Sequence, residues 1–190
     1  VRVRFSPDGR MLATSGGDGT IRRWDAVTGE AIGEPSVGHA TEQIGDGTGG
    51  ITGLAFTPDG SQVISGGADA TIRFWDAQTG VQVGEPLRAD TPEAAGYWDG
   101  AESFSEYVND IAVSPDGRTF ATAGARSSVL WDLESRTQLG EPLGGHDTSV
   151  WGVAFSPDGS LLAATDMDGH VLLWDVARRA TSQSSTCPSM

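Results

Sequence analysis

A five-residue phrase recurs four times along the chain, and it constrains the fold more than any other feature. Each copy runs from an apolar residue through Ser or Thr to Pro-Asp-Gly, beginning at Phe5, Phe56, Val113 and Phe155. A Trp-Asp pair follows each proline after 17, 17, 16 and 17 residues, at Trp24, Trp75, Trp131 and Trp174. The distance between the two motifs is nearly constant within each copy, and successive copies begin 51, 57 and 42 residues apart. Such a repeat indicates supersecondary units stacked side by side.

Each copy contains the pattern of a four-stranded unit. In the fourth copy, the Pro-Asp-Gly turn and a second turn at 167–169 separate three apolar segments, at 150–155, 161–164 and 171–174. A shorter fourth strand is predicted in the first three copies, at 31–33, 81–83 and 138–139. Turn signals every 8 to 12 residues or so, without a helical period, predict an all-β chain of antiparallel meanders, each forming one blade of a β-propeller.

These motifs resemble the WD40-repeat β-propeller family, whose blades combine Gly-His, Ser-Pro-Asp-Gly and Trp-Asp. The resemblance covers residues 1–176. The motifs Thr-Gly-Glu, Gly-Glu-Pro and Gly-His within 28–39 resemble those of bacterial members of the family. It implies a partial ring of four WD-type blades, each of four antiparallel strands. The expected blade limits are about 1–36, 37–87, 88–143 and 144–176.

The two ends of the chain carry further expectations. The first strand of a blade begins at once, so the chain is interpreted as the C-terminal part of a larger propeller, with missing blades supplied by its own upstream sequence. No Thr-Gly-Glu follows Val176, so the last blade is expected to lack its outer strand. The polar segment 177–190 is expected to be a disordered tail.

The resemblance also implies a buried network of histidine, hydroxyl, aspartate and tryptophan within each blade. The second blade has the full set, His39, Ser65, Asp69 and Trp75. The partial sets are Thr14, Asp18 and Trp24 in the first blade, Thr122 and Trp131 in the third, and His146, Asp168 and Trp174 in the fourth. Ala164 takes the hydroxyl position of the fourth blade. A satisfied network makes a blade rigid, so the second blade is expected to be the stiffest and the third the softest.

Composition disfavours two classes of partner. The net charge is −14, and all 12 basic residues are arginine. Nucleic acids and anionic membranes need clustered positive charge, so neither is expected as a partner. The single cysteine, Cys187, gives no disulfide framework, and the chain shows no apolar run or signal peptide, so a cytoplasmic location is expected.

No motif predicts catalysis, a metal or a cofactor. The Gly-rich stretch 45–50 matches a dinucleotide fingerprint but lacks the flanking strand and helix. The segment 166–170 lacks the glutamate that closes a calcium-binding loop. The histidines occupy structural positions and no serine lies in a nucleophile elbow, so the chain is not expected to be an enzyme.

The functional signal lies in two insertions, at 40–50 and 88–107. Both lie between an outer strand and the next inner strand, connections that emerge on one face of a propeller. Their acidic and aromatic residues suit recognition of a basic protein surface. The predicted partner-binding residues are Tyr97, Trp98, Asp99, Glu102, Phe104 and Tyr107, with Asp46 and Arg126 in neighbouring turns. The predicted function is a non-enzymatic scaffold, or a regulatory or sensor module, that binds a protein or peptide, with a basic one favoured.

Two alternatives stay open. The chain is a propeller enzyme, or a binder of a small ligand or metal, if polar groups converge in the central channel; the candidates are Asp110, Asn109, Arg2 and Arg4. It has no function of its own if an open four-blade arc simply associates through exposed apolar faces. Separately, Arg4 and Arg23 replace apolar residues of other copies, and each needs a carboxylate, access to water or an interface with a missing blade.

Overall fold

The computed structural model describes residues 2–40, 50–89 and 107–178, together with the backbone of 180–186. Within these ranges the regular structure is entirely β, in four antiparallel sheets, so the all-β prediction is confirmed. The chain divides into two compact units, Val1–Val108 with blades 1 and 2 and Asn109–Met190 with blades 3 and 4. No described segment forms a helix long and apolar enough to cross a membrane.

Each blade is a meander in which neighbouring strands follow one another along the chain. Blade 1 contains β1 (Arg2–Phe5), β2 (Met11–Ser15), β3 (Thr20–Asp25) and β4 (Ser36–Val37). Blade 2 contains β5 (Ile51–Phe56), β6 (Gln62–Gly67), β7 (Thr71–Asp76) and β8 (Leu87–Arg88). Blade 3 contains β9 (Asp110–Val113), β10 (Thr119–Ala123) and β11 (Ser128–Asp132). Blade 4 contains β12 (Val150–Phe155), β13 (Leu161–Asp166), β14 (His170–Asp175) and β15 (Ala180–Thr186).

The repeated Pro-Asp-Gly phrase forms the turn between the first two strands of a blade. In blade 1, the Ser6 hydroxyl donates to Asp8 Oδ1 at 2.6 Å and accepts the backbone N–H of Met11 at 2.9 Å. The hydrogen bond from the Ser6 hydroxyl, with one from the backbone N–H of Arg10, holds the pKa of Asp8 below its usual value. The same Ser/Thr–Asp pairing recurs in all four blades, which explains why the phrase is repeated.

The outer strands of blades 1 and 2 are shorter and lie later in the chain than predicted, and the one predicted in blade 3 is absent. Ala31 makes only an isolated bridge to Trp24, and pairing resumes at β4. Between them Gly33 adopts a φ of 64° and Pro35 has no N–H to donate, so the ladder is interrupted. Blade 2 behaves in the same way, and blade 3 keeps only two isolated bridges, so it has three strands rather than four.

Blade 4 has an outer strand, so the prediction that it lacks one is wrong. The segment Ala180–Thr186 pairs antiparallel with β14, from Asp175 opposite Ala180 to His170 opposite Thr186. The prediction of a disordered tail is therefore wrong for 180–186, while 187–190 lie outside the described residues. An edge strand pairs through its backbone and needs no apolar side chains, so a run of Ser and Thr is sufficient.

Each blade has two faces, which the cross-strand registers define. The tryptophan face carries the Trp of the Trp-Asp pair, and the opposite side is called the reverse face. In the first unit, the reverse face of blade 1 packs on the tryptophan face of blade 2 in one cluster that includes Met11, Ala13, Ile21, Leu54 and Trp75. In the second unit, blade 3 packs on blade 4 in the same sense, through Ala121, Leu130, Leu162, Ala164 and Leu172.

Arg23 lies inside the contact between blades 1 and 2, only 3% exposed. Its guanidinium donates to the carbonyl oxygen of Gln78 at 2.8 Å and to that of Glu34 at 2.9 Å. Backbone oxygens thus supply the partners for which a carboxylate or water was expected. Burial lowers the pKa of Arg23, and the nearby charge of Asp76 opposes that shift. Arg4 instead remains half-buried and donates to the carbonyl oxygen of Val3.

Replacement of this buried arginine should destabilise the first unit. We expect Arg23→Ala to lower the free energy of unfolding by about 2 to 3 kcal/mol, because two buried carbonyl groups lose their donors and a cavity forms. Urea unfolding followed by tryptophan fluorescence measures the change.

Arg22 provides the matched control, since its side chain is 43% exposed and pairs with Asp18 on the surface. Arg22→Ala should cost under about 1 kcal/mol. Equal costs for the two substitutions would contradict the role assigned to Arg23.

Candidate functional site

A chain of hydrogen bonds joins four side chains at one end of blade 2. Trp75 Nε1 donates to Ser65 Oγ at 2.8 Å, and His39 Nε2 lies 2.7 Å from the same oxygen. His39 Nδ1 lies 3.0 Å from Asp69 Oδ1. These distances fit a proton order in which the Ser65 hydroxyl donates to Nε2 while Nδ1–H donates to the carboxylate. The structure therefore brings together all four predicted residues of this blade.

Asp69 is held as a carboxylate. Burial alone would raise its pKa, but hydrogen bonds from His39, the backbone N–H of Ala40 and Thr71 lower it well below its usual value. The carboxylate therefore ties the chain before β5 to the turn between β6 and β7.

Blades 1 and 3 hold reduced versions of the network. Trp24 Nε1 donates to Thr14 Oγ1 at 2.9 Å, and Trp131 Nε1 donates to Thr122 Oγ1 at 3.0 Å. In blade 1, Asp18 is bound locally by the Thr20 hydroxyl at 2.8 Å. The tryptophan–hydroxyl pair is thus shared by the first three blades, and the histidine–carboxylate pair is an addition to it.

Blade 4 builds its network with a different aspartate from the predicted one. His146 Nδ1 lies 2.9 Å from Asp166 Oδ2, whereas Asp168 is exposed, so the assignment of Asp168 is wrong. Asp166 pairs across the sheet with Val150, as Gly67 pairs with Ile51 in blade 2.

The position of Gly67 explains why blade 4 can use Asp166 where blade 2 uses Asp69. A Cβ on Gly67 would lie 2.6 Å from His39 Nδ1 and 2.9 Å from Asp69 Oδ1. A side chain that starts from this position therefore reaches the imidazole directly. In blade 4, Asp166 does so, and His170 takes the place of Thr71 with its Nδ1 3.1 Å from the same carboxylate oxygen.

One atom of the blade 4 network has no hydrogen-bond partner in the described part of the chain. His146 Nε2 is buried and unpaired. The residue in the position of Ser65 is Ala164, which is fully buried and has no hydroxyl. Since an unsatisfied buried polar atom costs free energy, this blade carries a local defect.

Restoring the hydroxyl should stabilise blade 4. We expect Ala164→Ser to raise the free energy of unfolding by about 1 kcal/mol, because the new hydroxyl can bond His146 Nε2. Thermal and urea unfolding measure the change. Ala163→Ser is the control, since Ala163 lies on the reverse face. A stabilisation by both substitutions, or by neither, would contradict the assignment.

The blade 4 carboxylate predicts a pH dependence of stability. Burial disfavours the ionised form of Asp166, but hydrogen bonds from His146 and His170 outweigh burial and lower its pKa to about 2. Because the folded pKa lies below the unfolded value, this group contributes stability above about pH 4, which is lost as pH falls towards 2. The stability difference between wild type and Asp166→Asn should therefore shrink over that interval.

Asp168→Asn is the control, because this exposed carboxylate accepts no hydrogen bond from either histidine among the described contacts. Asp168→Asn should therefore leave the histidine–carboxylate contacts of blade 4 intact and reproduce the pH dependence of the wild-type stability more closely than Asp166→Asn does. If the stability difference between wild type and Asp166→Asn did not change between pH 4 and pH 2, the lowered pKa of Asp166 would be contradicted.

The networks mark one end of each blade, which we call the loop edge. The turn between the second and third strands and the connection from an outer strand to the next inner strand meet there. Ala68 N–H donates to Gly50 O at 3.0 Å in the first unit, and Met167 N–H donates to Ser149 O at 3.1 Å in the second. Both insertions leave from and return to the loop edge.

Few of the predicted partner-binding residues can be placed. Arg126 is exposed in the turn between β10 and β11, and Tyr107 is half-buried just before Val108, whose N–H donates to Gly67 O. The remaining six lie outside the described residues: Asp46, Tyr97, Trp98, Asp99, Glu102 and Phe104.

The loop edge of blade 4 carries two apolar side chains that the sequence reasoning missed. Trp151 is 51% exposed and Met167 is 65% exposed. Trp151 lies in a β-bulge between Val150 and Gly152, where blade 2 has Thr52. A bulge redirects a side chain out of the sheet pattern. The available signal was a tryptophan in a position that holds threonine in another copy.

The candidates for a channel site make hydrogen bonds mainly with the backbone of neighbouring strands and connections. Asn109 Nδ2 donates to Ser149 Oγ and to Val150 O, and Asp110 accepts the N–H of Val153 at 3.4 Å. Arg2 Nε donates to Thr52 O at 2.6 Å. In the part of the chain that the structure describes, no three His, Cys, Asp or Glu side chains are arranged to hold a metal.

Comparison with known families gives one clear match. The model described as "WD domain, G-beta repeat" matches residues 1–25, 38–76, 95–132 and 137–175. These four segments contain the four Trp-Asp pairs that follow a Pro-Asp-Gly turn.

Several curated proteins are similar to most of this chain. Periodic tryptophan protein 2 of Arabidopsis thaliana is 26% identical over 92% of the chain and 17% of its own length. DDB1- and CUL4-associated factor 13 of Dictyostelium discoideum is 27% identical over 92% of the chain and 35% of its own length. The Target of rapamycin complex subunit wat1 of Schizosaccharomyces pombe is 33% identical over 60% of the chain and 32% of its own length. The chain thus spans about a third or less of these eukaryotic relatives, which lend no support to a specifically bacterial type.

Proposed function

Since the chain belongs to the WD40-repeat family, we propose that it is a non-enzymatic interaction module that binds a protein or peptide at the loop edge. The observation that carries the proposal is the exposure of Trp151 and Met167 at this edge of blade 4. Tryptophan supplies large contact area at interfaces, and methionine adapts its shape to a partner.

The placement of these two side chains supports a shared contact. Val150 and Asp166 pair across the sheet, and each is the chain neighbour of one exposed residue, Trp151 or Met167. The buried His146–Asp166 pair of blade 4 ties the chain before β12 to the turn before β14, beside the apolar pair. A rigid platform lowers the entropy lost when a partner binds.

Charge favours a basic partner. The chain has a net charge of −14, and Asp147 and Asp168 are exposed close to the apolar pair in sequence. Complementary charge accelerates encounter and selects partners. A segment with an apolar anchor flanked by Arg or Lys fits this edge.

The relatives support the class of partner. One is named as a CUL4-associated factor and another as a subunit of the Target of rapamycin complex, so both names describe association with other proteins. A scaffold or regulatory role for this chain, in the cytoplasm, belongs to the same proposal.

A displayed peptide library tests the proposal. Peptides selected on the immobilised chain should be rich in Arg and Lys beside an apolar residue, and their affinity should fall as salt is added. Trp151→Ser should weaken binding at least about tenfold, as expected for a central aromatic contact. Deletion of 89–106, the body of the second insertion, tests its contribution in the same assay.

Val81→Ser is the control, because Val81 is exposed at the opposite end of its blade from the loop edge. This variant should bind the selected peptides as wild type does. Peptides that bind Trp151→Ser and the deletion variant with unchanged affinity would overturn the proposal.

A further inference from the structure

One turn at the loop edge of blade 2 binds both ends of the first insertion, 40–50. This turn, residues 67–70, joins β6 to β7. Ala40 begins the insertion, and its N–H donates to Asp69 Oδ2 at 2.9 Å. Gly50 ends it, and its carbonyl oxygen accepts the N–H of Ala68 at 3.0 Å. The first insertion therefore starts and finishes on the same turn.

The second insertion, 88–107, is bound to that turn as well. Ala89, near its start, donates its N–H to the carbonyl oxygen of Ala70 at 2.9 Å. Val108, directly after its end, donates its N–H to the carbonyl oxygen of Gly67 at 3.2 Å and accepts a hydrogen bond from the Thr52 hydroxyl. Each of the four residues in the turn thus binds one end of one insertion.

The turn of blade 2 is more buried than its counterparts. Ala68 is 2% exposed and Ala70 is 1% exposed. In the equivalent turns of blades 1 and 4, Gly17 and Met167 take the place of Ala68, and both are exposed. A buried backbone needs partners for its N–H and carbonyl groups, and the insertion ends supply them.

The backbone of this turn has a conformation that alanine rarely adopts. Ala70 has a φ of 57°, whereas the same position holds glycine in two other blades, Gly19 with a φ of 69° and Gly169 with a φ of 83°. A side chain with a Cβ disfavours the left-handed region, so such a residue persists only where surrounding contacts hold it. The hydrogen bonds from the insertion ends are contacts of this kind.

We propose that the turn 67–70 couples the two insertions, so that a change at one insertion alters the other. Asp69 and Ala70 are neighbours in the chain, and they bind the starts of the first and second insertions, respectively. Release of one start leaves the turn with fewer bonds to oppose the strain at Ala70, so the other start is bound less firmly.

This coupling has a consequence for binding. Coupling between two sites is reciprocal, so a partner that fixes one insertion should also fix the other. The inference goes beyond the proposed function, because it uses contacts of the first unit alone and does not depend on the exposed pair of blade 4.

A proline variant of the second insertion, with glycine at the same position as its control, tests the proposal on the whole chain. Ala89→Pro removes the N–H that binds Ala70, while Ala89→Gly retains it. Amide hydrogen exchange measured by NMR reports on the first insertion through the N–H groups of Ala40 and Ala68. We expect Ala89→Pro to speed exchange at both by at least about threefold. Ala89→Gly should leave both rates close to those of wild type.

The reciprocal experiment alters the first insertion. Ala40→Pro removes the N–H that binds Asp69, and Ala40→Gly retains it. Ala40→Pro should speed exchange at the N–H groups of Ala89 and Val108 by a similar factor, and Ala40→Gly should not.

An amide at the opposite end of blade 2 is the internal reference. The N–H of Ala77 donates to the carbonyl oxygen of Ser61 at 2.9 Å, and its exchange should stay at the wild-type rate in every variant. Faster exchange confined to the altered insertion would show that the two insertions are independent and would overturn the proposal. An equal increase at Ala77 would indicate loosening of the whole blade and would overturn it as well.

Discussion

A blade of this chain is apolar on both sides, so each sheet needs a neighbour before its hydrophobic surface leaves water. Within each unit, this requirement is met by placing alanine and aliphatic residues against a tryptophan-bearing sheet. The turns, the short outer strands and the buried hydrogen bonds all serve to present these faces. Within each unit, the arrangement buries the facing sides of two blades and leaves the ends of the blades accessible.

The hydrogen-bond networks show how one requirement is met by different residues. A buried indole N–H needs an acceptor, and Thr14, Ser65 and Thr122 provide it in three blades. The histidine–carboxylate pair adds a tie between strands only where Gly-His is present. Its carboxylate comes from Asp69 in one blade and from Asp166 in another. In both blades the carboxylate lies beside the histidine Nδ1, although it comes from a different position in the repeat.

The same comparison separates what the sequence predicts from what it does not. Four blades follow from the repeated phrase because turn chemistry and tryptophan spacing are local properties. Asp166 was missed because the repeats were aligned by their turn residues, which matches Asp168 with Asp69. The carboxylate that contacts His146 can come from any residue whose Cα lies close enough to the imidazole, and in blade 4 that residue is Asp166. The strand Ala180–Thr186 was missed because edge pairing uses backbone groups common to every sequence. The strand that contains Trp151 was predicted, but the exposure of its side chain was missed because a bulge leaves no mark in the alternation of apolar residues.

The contact between Arg23 and Gly80 links two distant positions of the sequence. A Cβ on Gly80 would lie 2.3 Å from a guanidinium nitrogen of Arg23, so no larger residue fits while that arginine is present. The φ of 73° at Gly80 does not by itself demand glycine, since Arg136 occupies the same turn position in blade 3 with a φ of 58°. The two positions should therefore change together in related chains, with glycine at one retained wherever arginine fills the other.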